Sequence, residues 1–362
     1  MKVGRFSAMR ALWGFILFII IGVAAAIFLS FQPFFEQHEL PHDEEQEGME
    51  DQIIIKFSHV VAENTPKGMA ANRFAKLVDE YTNHRVKVEV FPNESLYDDE
   101  EEWKALKNNE VQMIAPATSK LTNVSKRWML LDLPYIFPND QALKETLSGE
   151  VGQELLGDLE GEGIKGFAIW SNHFKQITSN QEIRSPEDFK GKNFRIMPSE
   201  VLKEQFGHFG ATTSMLGFNE TFQNLEDHAT DSQENTISNI YSKKLYQLQN
   251  NLTMSNHGYL GYAVMMNGSF WESLPPDIQK EIQRAMDKTT DWIWVKSSEM
   301  NEELLLDIQR ESDIHIYRLS SEERKEWMDK MTQIYPEFEE EIGSGLLDKT
   351  LAIRQKYLKE QP

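Results

Sequence analysis

The chain has 362 residues, enough for two bodies that each bury a core, and a formal net charge of −21. Residues 1–31 carry Lys2, Arg5 and Arg10 with no acid, so the remainder stands at −24. A surface of that sign argues against nucleic acid or an anionic membrane surface as partner, because both are met through basic patches. With no cysteine, disulfides, thiolate metal sites and thiol nucleophiles are excluded.

Met1 to Arg10 forms a basic leader, and Ala11 to Phe31 follows as 21 residues without a charge. A cleaved secretory signal has a shorter apolar core of about 7 to 15 residues, whereas about 20 span a bilayer as a helix. An uncleaved signal-anchor is therefore expected over residues 1–31 in preference to a cleaved signal, with the amino terminus in the cytoplasm and the rest outside. Residues 32–51, with Pro33, Pro41 and the acidic run Asp43 to Glu47, read as a solvated linker.

From Ile53 to Phe57 the chain reads as a buried strand, followed by a turn at Thr65-Pro66 and a helix from Lys67 to Tyr81 with Met69, Phe74, Leu77 and Val78 on its inner side. Val86 to Phe91 alternates as a second strand, Asp98 to Lys107 reads as a helix, and Val111 to Ala115 as a third strand. The order β-α-β-α-β implies a parallel sheet with crossover helices. An amphipathic segment from Val151 to Glu162 leads into a strand ending at Trp170, and Tyr262 to Met266 is another strand, which points to a chain that crosses back between two lobes. Pro275 to Arg310 keeps a helical stripe without internal Pro or Gly, long enough to brace both lobes, and Ser320 to Glu323 caps a final helix containing Trp327 and Met331.

The chain carries no Gly-rich nucleotide loop, no GxSxG elbow and no HExxH, and its histidines are scattered, so no enzyme, metal or cofactor is expected. What remains is anion chemistry. Arg195 sits between Phe194 and Ile196 in a short strand-like segment, where a cation is costly unless an anion meets it. Its planar fork suits a carboxylate in bidentate geometry; the competing reading is an ordinary salt bridge to a nearby Glu or Asp. Lys175, beside Phe174, is a candidate second cation, with a solvated surface lysine as the plainer reading. Asn235 can donate and accept at once, Trp170 and Phe218 can line a cleft, and His59 and His257 can each donate to a carboxylate; the plainer readings are a turn or cap residue, core aromatics and satisfied structural histidines.

These residues also carry a family pattern. Lys56 to Gly68, Leu131 to Phe137, Phe174-Lys-Gln176, Pro186 to Gly191, Ser232-Gln-Glu-Asn235 and Ser255 to Tyr259, in that order and spacing, resemble the solute-binding proteins of tripartite ATP-independent periplasmic (TRAP) transporters, most closely their C4-dicarboxylate-binding branch. Ser232, Thr236 and Phe222 depart from the usual wording around the Gln-Glu-Asn motif. The resemblance implies an α/β periplasmic-binding-protein-like fold of two lobes joined by a hinge, with a long helix behind both. Lobe I would take residues 52–172 plus 261–300 and lobe II residues 173–260 plus 301–362.

It further implies that Arg195 clamps one ligand carboxylate, that Asn235 and Phe218 hold the same ligand, and that Lys175 meets the far carboxylate of a four-carbon diacid such as succinate, fumarate or malate. The expected partners are this small dicarboxylate and membrane transporter subunits, or alternatively a membrane sensor kinase or permease to which the protein reports ligand occupancy.

Overall fold

The computed structural model describes residues 52–359. The signal-anchor and the acidic linker expected over residues 1–51 lie outside the described residues. Among those described, no helix is long and apolar enough to cross a membrane.

The first three strands are β1 (Ile53–Ser58), β2 (Val86–Phe91) and β3 (Met113–Ile114), and β1 pairs in parallel with both of the others. The crossover helix Pro66–Tyr81 starts where the Thr65-Pro66 pair directs it. Thr65 Oγ1 accepts from the Gly68 amide, and Pro66 occupies the first turn, where an amide hydrogen would have had no partner. The second helix begins later than expected, at Glu102, because the Asp98 side chain accepts from the amides of Glu100 and Glu101 and holds that stretch as a turn.

Past this parallel unit the sheet is mixed. The segment ending at Trp170 is the first part of a 16-residue strand, β4 (Ile164–Ser179), and Tyr262 to Met266 is the end of a 17-residue strand, β8 (Asn251–Asn267). These two long strands run antiparallel beside each other. At one end β8 pairs with β3, through Met265 and Met266. At the other end β4 pairs with β7 (Ser232–Asn235), which is parallel to β5 (Asn193–Ile196), itself parallel to β6 (Thr212–Met215). A last strand, β9 (His315–Arg318), pairs with the early part of β8. The sheet order is β2-β1-β3-β8-β4-β7-β5-β6, so β4 and β8 join two parallel sets of strands.

Alternation along β8 explains why its apolar run is continuous. Tyr262, Val264 and Met266 enter one core with Phe57, Phe74, Trp170 and Ile282, while Ala263 and Met265 enter the core on the opposite side with Trp128, Phe137, Ile169 and Tyr259. A strand buried on both faces loses the polar half of its two-residue period. The helix Pro276–Glu311 packs along the first of these cores, against the helix Pro66–Tyr81, β4 and the short helix Ile237–Ser242. Its 36 residues reach about 54 Å, so it touches elements of both parallel sets. The Ser320–Glu323 capping box starts the helix Ser321–Met331 as expected, but two further helices, Tyr335–Ile342 and Ser344–Lys359, follow it.

Both long strands are irregular where they pass from one set to the other. Their register shifts between Ser171 and Phe174 and again between Lys175 and Ile177. His173 and Asn256 there have φ of 80° and 47°, left-handed conformations that a regular strand does not contain.

Candidate ligand-binding site

The two parallel sets point the carboxyl ends of their strands at a common cavity. Val60 and Val61 follow β1, and Ala117 and Lys120 follow β3; Asp99 lies in the loop beyond β2. From the other set come Arg195 on β5 with Met197 and Pro198 just after it, Phe218 after β6, Asn235 at the end of β7 and Asn239 in the helix that follows. Leu260 and Tyr262 of β8 close the floor. Crevices at the carboxyl ends of parallel strands are where ligands bind in open α/β sheets, because loops diverge there and amide hydrogens remain free.

Arg195 is 2% exposed, and burial pulls its pKa down to about 10, so it stays charged at neutral pH. Its Nη2 donates to the Leu216 carbonyl at 2.6 Å and its Nε has no partner. Asp99, Glu234 and Glu220 lie close enough to favour the charged form, yet among the described residues no carboxylate forms an ion pair with it. A desolvated guanidinium satisfied by one carbonyl has donors left over that suit an anion. Beside it Asn235 Oδ1 accepts from the Thr236 amide at 3.1 Å and from Asn239 Nδ2 at 2.9 Å. With the oxygen occupied, the Asn235 amide group is turned to act as a donor. Phe218 packs against Val60 and Val61 from the opposite strand set, with Lys243 Nζ 4.9 Å from its ring centroid.

Arg195, Asn235 and Phe218 are thus brought together. The other four candidates are not on the cavity wall. Lys175 is fully buried, and its Nζ sits 2.7 Å from Glu234 Oε1, so its charge is already neutralised and the expectation that it meets a second ligand carboxylate gives way to this ion pair. His257 completes the same cluster: its Nε2 is 2.9 Å from Glu234 Oε2 and its Nδ1 is 2.7 Å from Ser255 Oγ. Burial holds this histidine neutral, donating to Glu234 and accepting from Ser255. For Glu234 burial works the other way, but Lys175 and His257 together outweigh it and hold the carboxylate at about 2.

Trp170 packs on Phe57 and donates from Nε1 to Thr290 Oγ1 of the long helix, a core position. His59 is fully buried behind Val60, neither ring nitrogen has a partner, and burial, with the nearby Lys67 ammonium, lowers its pKa to about 3.

The reading from sequence missed Asp99, Lys120, Asn239 and Tyr262. Lys120 Nζ pairs with Asp99 Oδ1 at 2.6 Å, and Asp99 Oδ2 accepts from the Phe218 amide at 3.4 Å across the cavity. Tyr262 receives a hydrogen bond on its hydroxyl from Asn239 at 3.3 Å and carries Lys67 Nζ over its ring at 4.0 Å. Tyr262 stands in a segment already read as a strand, and its phenol on a buried apolar face was the available signal. Asp99 lies in a turn and Lys120 in the short 3-10 helix Thr118–Asn123, where nothing in the sequence separates them from solvated charges.

Two sets of parallel strands facing one cavity, with a buried cation that the protein leaves without a carboxylate, define a binding protein for a small anion. The chain belongs to the bacterial extracellular solute-binding proteins, family 7, whose model matches residues 57–341. It is 47% identical over 348 residues to the C4-dicarboxylate-binding protein DctB of Bacillus subtilis, covering 96% of this chain and 99% of that one. Among solved structures it is similar to a TRAP periplasmic solute binding protein from Sulfurospirillum deleyianum with bound succinate, at 40% identity and a TM-score of 0.80 over 83% of this chain and 99% of that one. A TRAP periplasmic solute binding protein from Pseudomonas aeruginosa with bound L-malate matches at 35% identity and a TM-score of 0.77, over 79% and 99%. This is the α/β periplasmic-binding-protein-like fold expected from the sequence.

Two outcomes follow from the buried groups. Glu234→Ala strands Lys175 in the interior and should cost about 3–5 kcal/mol in urea unfolding, most of it recovered by adding Lys175→Met. His59 is neutral when folded but protonates below about pH 6.5 when unfolded, so acid favours the unfolded chain. Stability should therefore fall by about 1.4 kcal/mol per pH unit between about pH 6.5 and 3, with His257 adding in the same direction. His59→Phe should flatten that limb in denaturant titrations taken at a series of pH values.

Proposed function

We propose that the protein captures C4-dicarboxylates such as succinate, fumarate and malate outside the cytoplasm for uptake, without altering them chemically. The single observation that carries the anion is Arg195, buried, charged and, among the described residues, without a carboxylate partner at the cavity wall. The dicarboxylate class comes from the relatives, whose names and bound ligands are C4-dicarboxylates. In this reading Arg195 takes one carboxylate, Asn235 donates to the ligand, and Phe218 covers it. Lys120, which lines the cavity where Lys175 does not, is the second cation within reach of the ligand, although it is shared with Asp99.

Capture works by closure of two bodies, residues 52–172 with 261–300 against residues 173–260 with 301–362. The bulges around His173 and Asn256 support a hinge there, since they interrupt the regular register of the two strands that, among the described residues, join the sets. A ligand shifts that equilibrium only if it binds the closed form better, and contacts from both sets supply the difference. The partners are membrane transporter subunits that accept the ligand from the closed form; the family fits transport, and no observation favours the sensing alternative. The apolar run of residues 11–31 supports an anchor that holds the receptor at the membrane.

In a thermal-shift series on residues 52–362, succinate, fumarate or malate at about 100 times its dissociation constant should add about 2.7 kcal/mol of stability, and the ligand should be recovered unchanged. Arg195→Ala should lose about 2–5 kcal/mol of binding, and an unaltered affinity would remove Arg195 from the site. If a sugar acid stabilises the protein and no C4-diacid does, the ligand class is wrong. The full-length chain should fractionate with membranes and resist extraction by high salt; release into the medium would show a cleaved signal.

A further inference from the structure

The strand β4 is paired on both sides over only part of its length. β7 bonds it from Gln176 to Ser179. From Ile164 to Trp170 it pairs with β8 on one side, and among the described residues no backbone bonds its other side. Since the amide and carbonyl groups of a strand point alternately to its two sides, this first half of β4 is a free sheet edge. The register shift between Gly166 and Ala168 keeps the regular part of that edge short.

The edge lies at the bottom of a groove of about 340 Å³, away from the ligand cavity. Phe167, Ala168 and Ile169 all line it, although Phe167 and Ala168 belong to one core and Ile169 to the opposite one. Successive residues whose side chains leave the sheet on different faces share a groove only along the edge of the strand. The long helix Pro276–Glu311 forms one wall, through Asp287, Asp291 and Trp294. The helices Asp140–Ser148 and Glu150–Gly157 form the other, through Leu147 and Leu156.

The two walls differ in chemistry. Asp287 and Asp291 stand one turn apart, are exposed, and form no ion pair among the described residues. Asp287 accepts from Gln283 at 2.9 Å, while the helix cations Arg284 and Lys296 pair with Glu281 and Glu299 instead. The opposite wall is apolar. A strand laid along β4 sends alternate side chains to the two walls, so the occupant that fits alternates basic residues, toward the aspartates, with apolar ones, toward Leu147 and Leu156. A second copy of the chain does not fit, because its own edge is recessed between the same helices.

Resting on the reading that the ligand passes to membrane transporter subunits, we propose that this groove is a docking slot for an extended segment of such a subunit. The segment adds as a strand beside β4, on the side that β7 occupies further along, with its basic side chains against Asp287 and Asp291. Every lining residue falls within residues 52–172 or 261–300, the same closing body, so docking does not depend on whether ligand is bound.

The probe is a blocked pentapeptide, Val-Arg-Val-Arg-Val, with Val-Glu-Val-Glu-Val as its counterpart, added at about 5 mM to the full-length protein in zwitterionic lipid nanodiscs. Hydrogen exchange followed by mass spectrometry should show the segment Lys165 to Trp170 slowed about twofold by the arginine peptide and not by the glutamate one, with or without succinate. In the protein carrying Asp287→Lys and Asp291→Lys, altered only at exposed positions, that preference should invert. Equal effects of the two peptides, no effect of either, or protection of every amide in the segment before any peptide is added overturns the proposal. If no C4-diacid binds while the arginine peptide still protects β4, the dicarboxylate reading falls and the docking slot stands.

Discussion

A guanidinium held inside the protein without a carboxylate of its own is the constraint around which the rest is arranged. Keeping Arg195 charged at 2% exposure costs free energy that the single Leu216 carbonyl repays only in part. The fold tolerates this because Arg195 lies on β5 between β6 and β7, whose ladders fix the backbone independently of the side chain. Its unmet demand becomes affinity once an anion arrives, and the same burial that makes the free state expensive strengthens the bond in the complex. The neighbouring Asn235 is prepared in the same sense, since its acceptor is consumed by Thr236 and Asn239 before any ligand is present.

Arg195 could be picked out from sequence because a strong cation between Phe194 and Ile196 has no plain local explanation. Lys175 looked equally suitable and is not, for a reason that no local pattern shows. Its counter-ion, Glu234, is 59 positions away and reaches it only through the pairing of β4 with β7. Glu234 stands directly before Asn235, so one short motif supplies both the carboxylate that neutralises Lys175 and an amide on the cavity wall. Lys120 was invisible for the converse reason: a lysine in a single 3-10 turn after a two-residue strand resembles any solvated lysine, and its pairing with Asp99 is between residues 21 positions apart. The early β-α-β-α-β unit was legible because its periodicity is local, whereas the extent of β4 and β8 was not, because strands buried on both faces show no alternation to measure.

The interior therefore holds two kinds of charge. Lys175, Glu234 and His257 form a closed account between β4, β7 and β8, with every strong donor and acceptor matched. Such a cluster contributes orientation more than net stability, since a well-packed apolar substitute would do as well energetically. It stands beside the bulged part of the long strands, where backbone ladder bonds are interrupted and side chains must set the geometry. Arg195 and the Asp99–Lys120 pair belong to the second kind, left open toward the cavity. A receptor needs both, rigid charge to hold the wall and open charge to bind.

The return of the chain through β8 also decides when the molecule can fold during synthesis. The strand set that is made first, β1 to β3, ends in a strand of two residues whose outer neighbour is Met265 and Met266, and the helix that covers it begins only at Pro276. Until roughly three quarters of the chain has been made, that first set exposes Phe57 and Phe74 and gains little from ordering. Delayed closure of this kind keeps a nascent chain threadable, which is what passage through a narrow export channel demands of a protein whose working place is on the far side of a membrane.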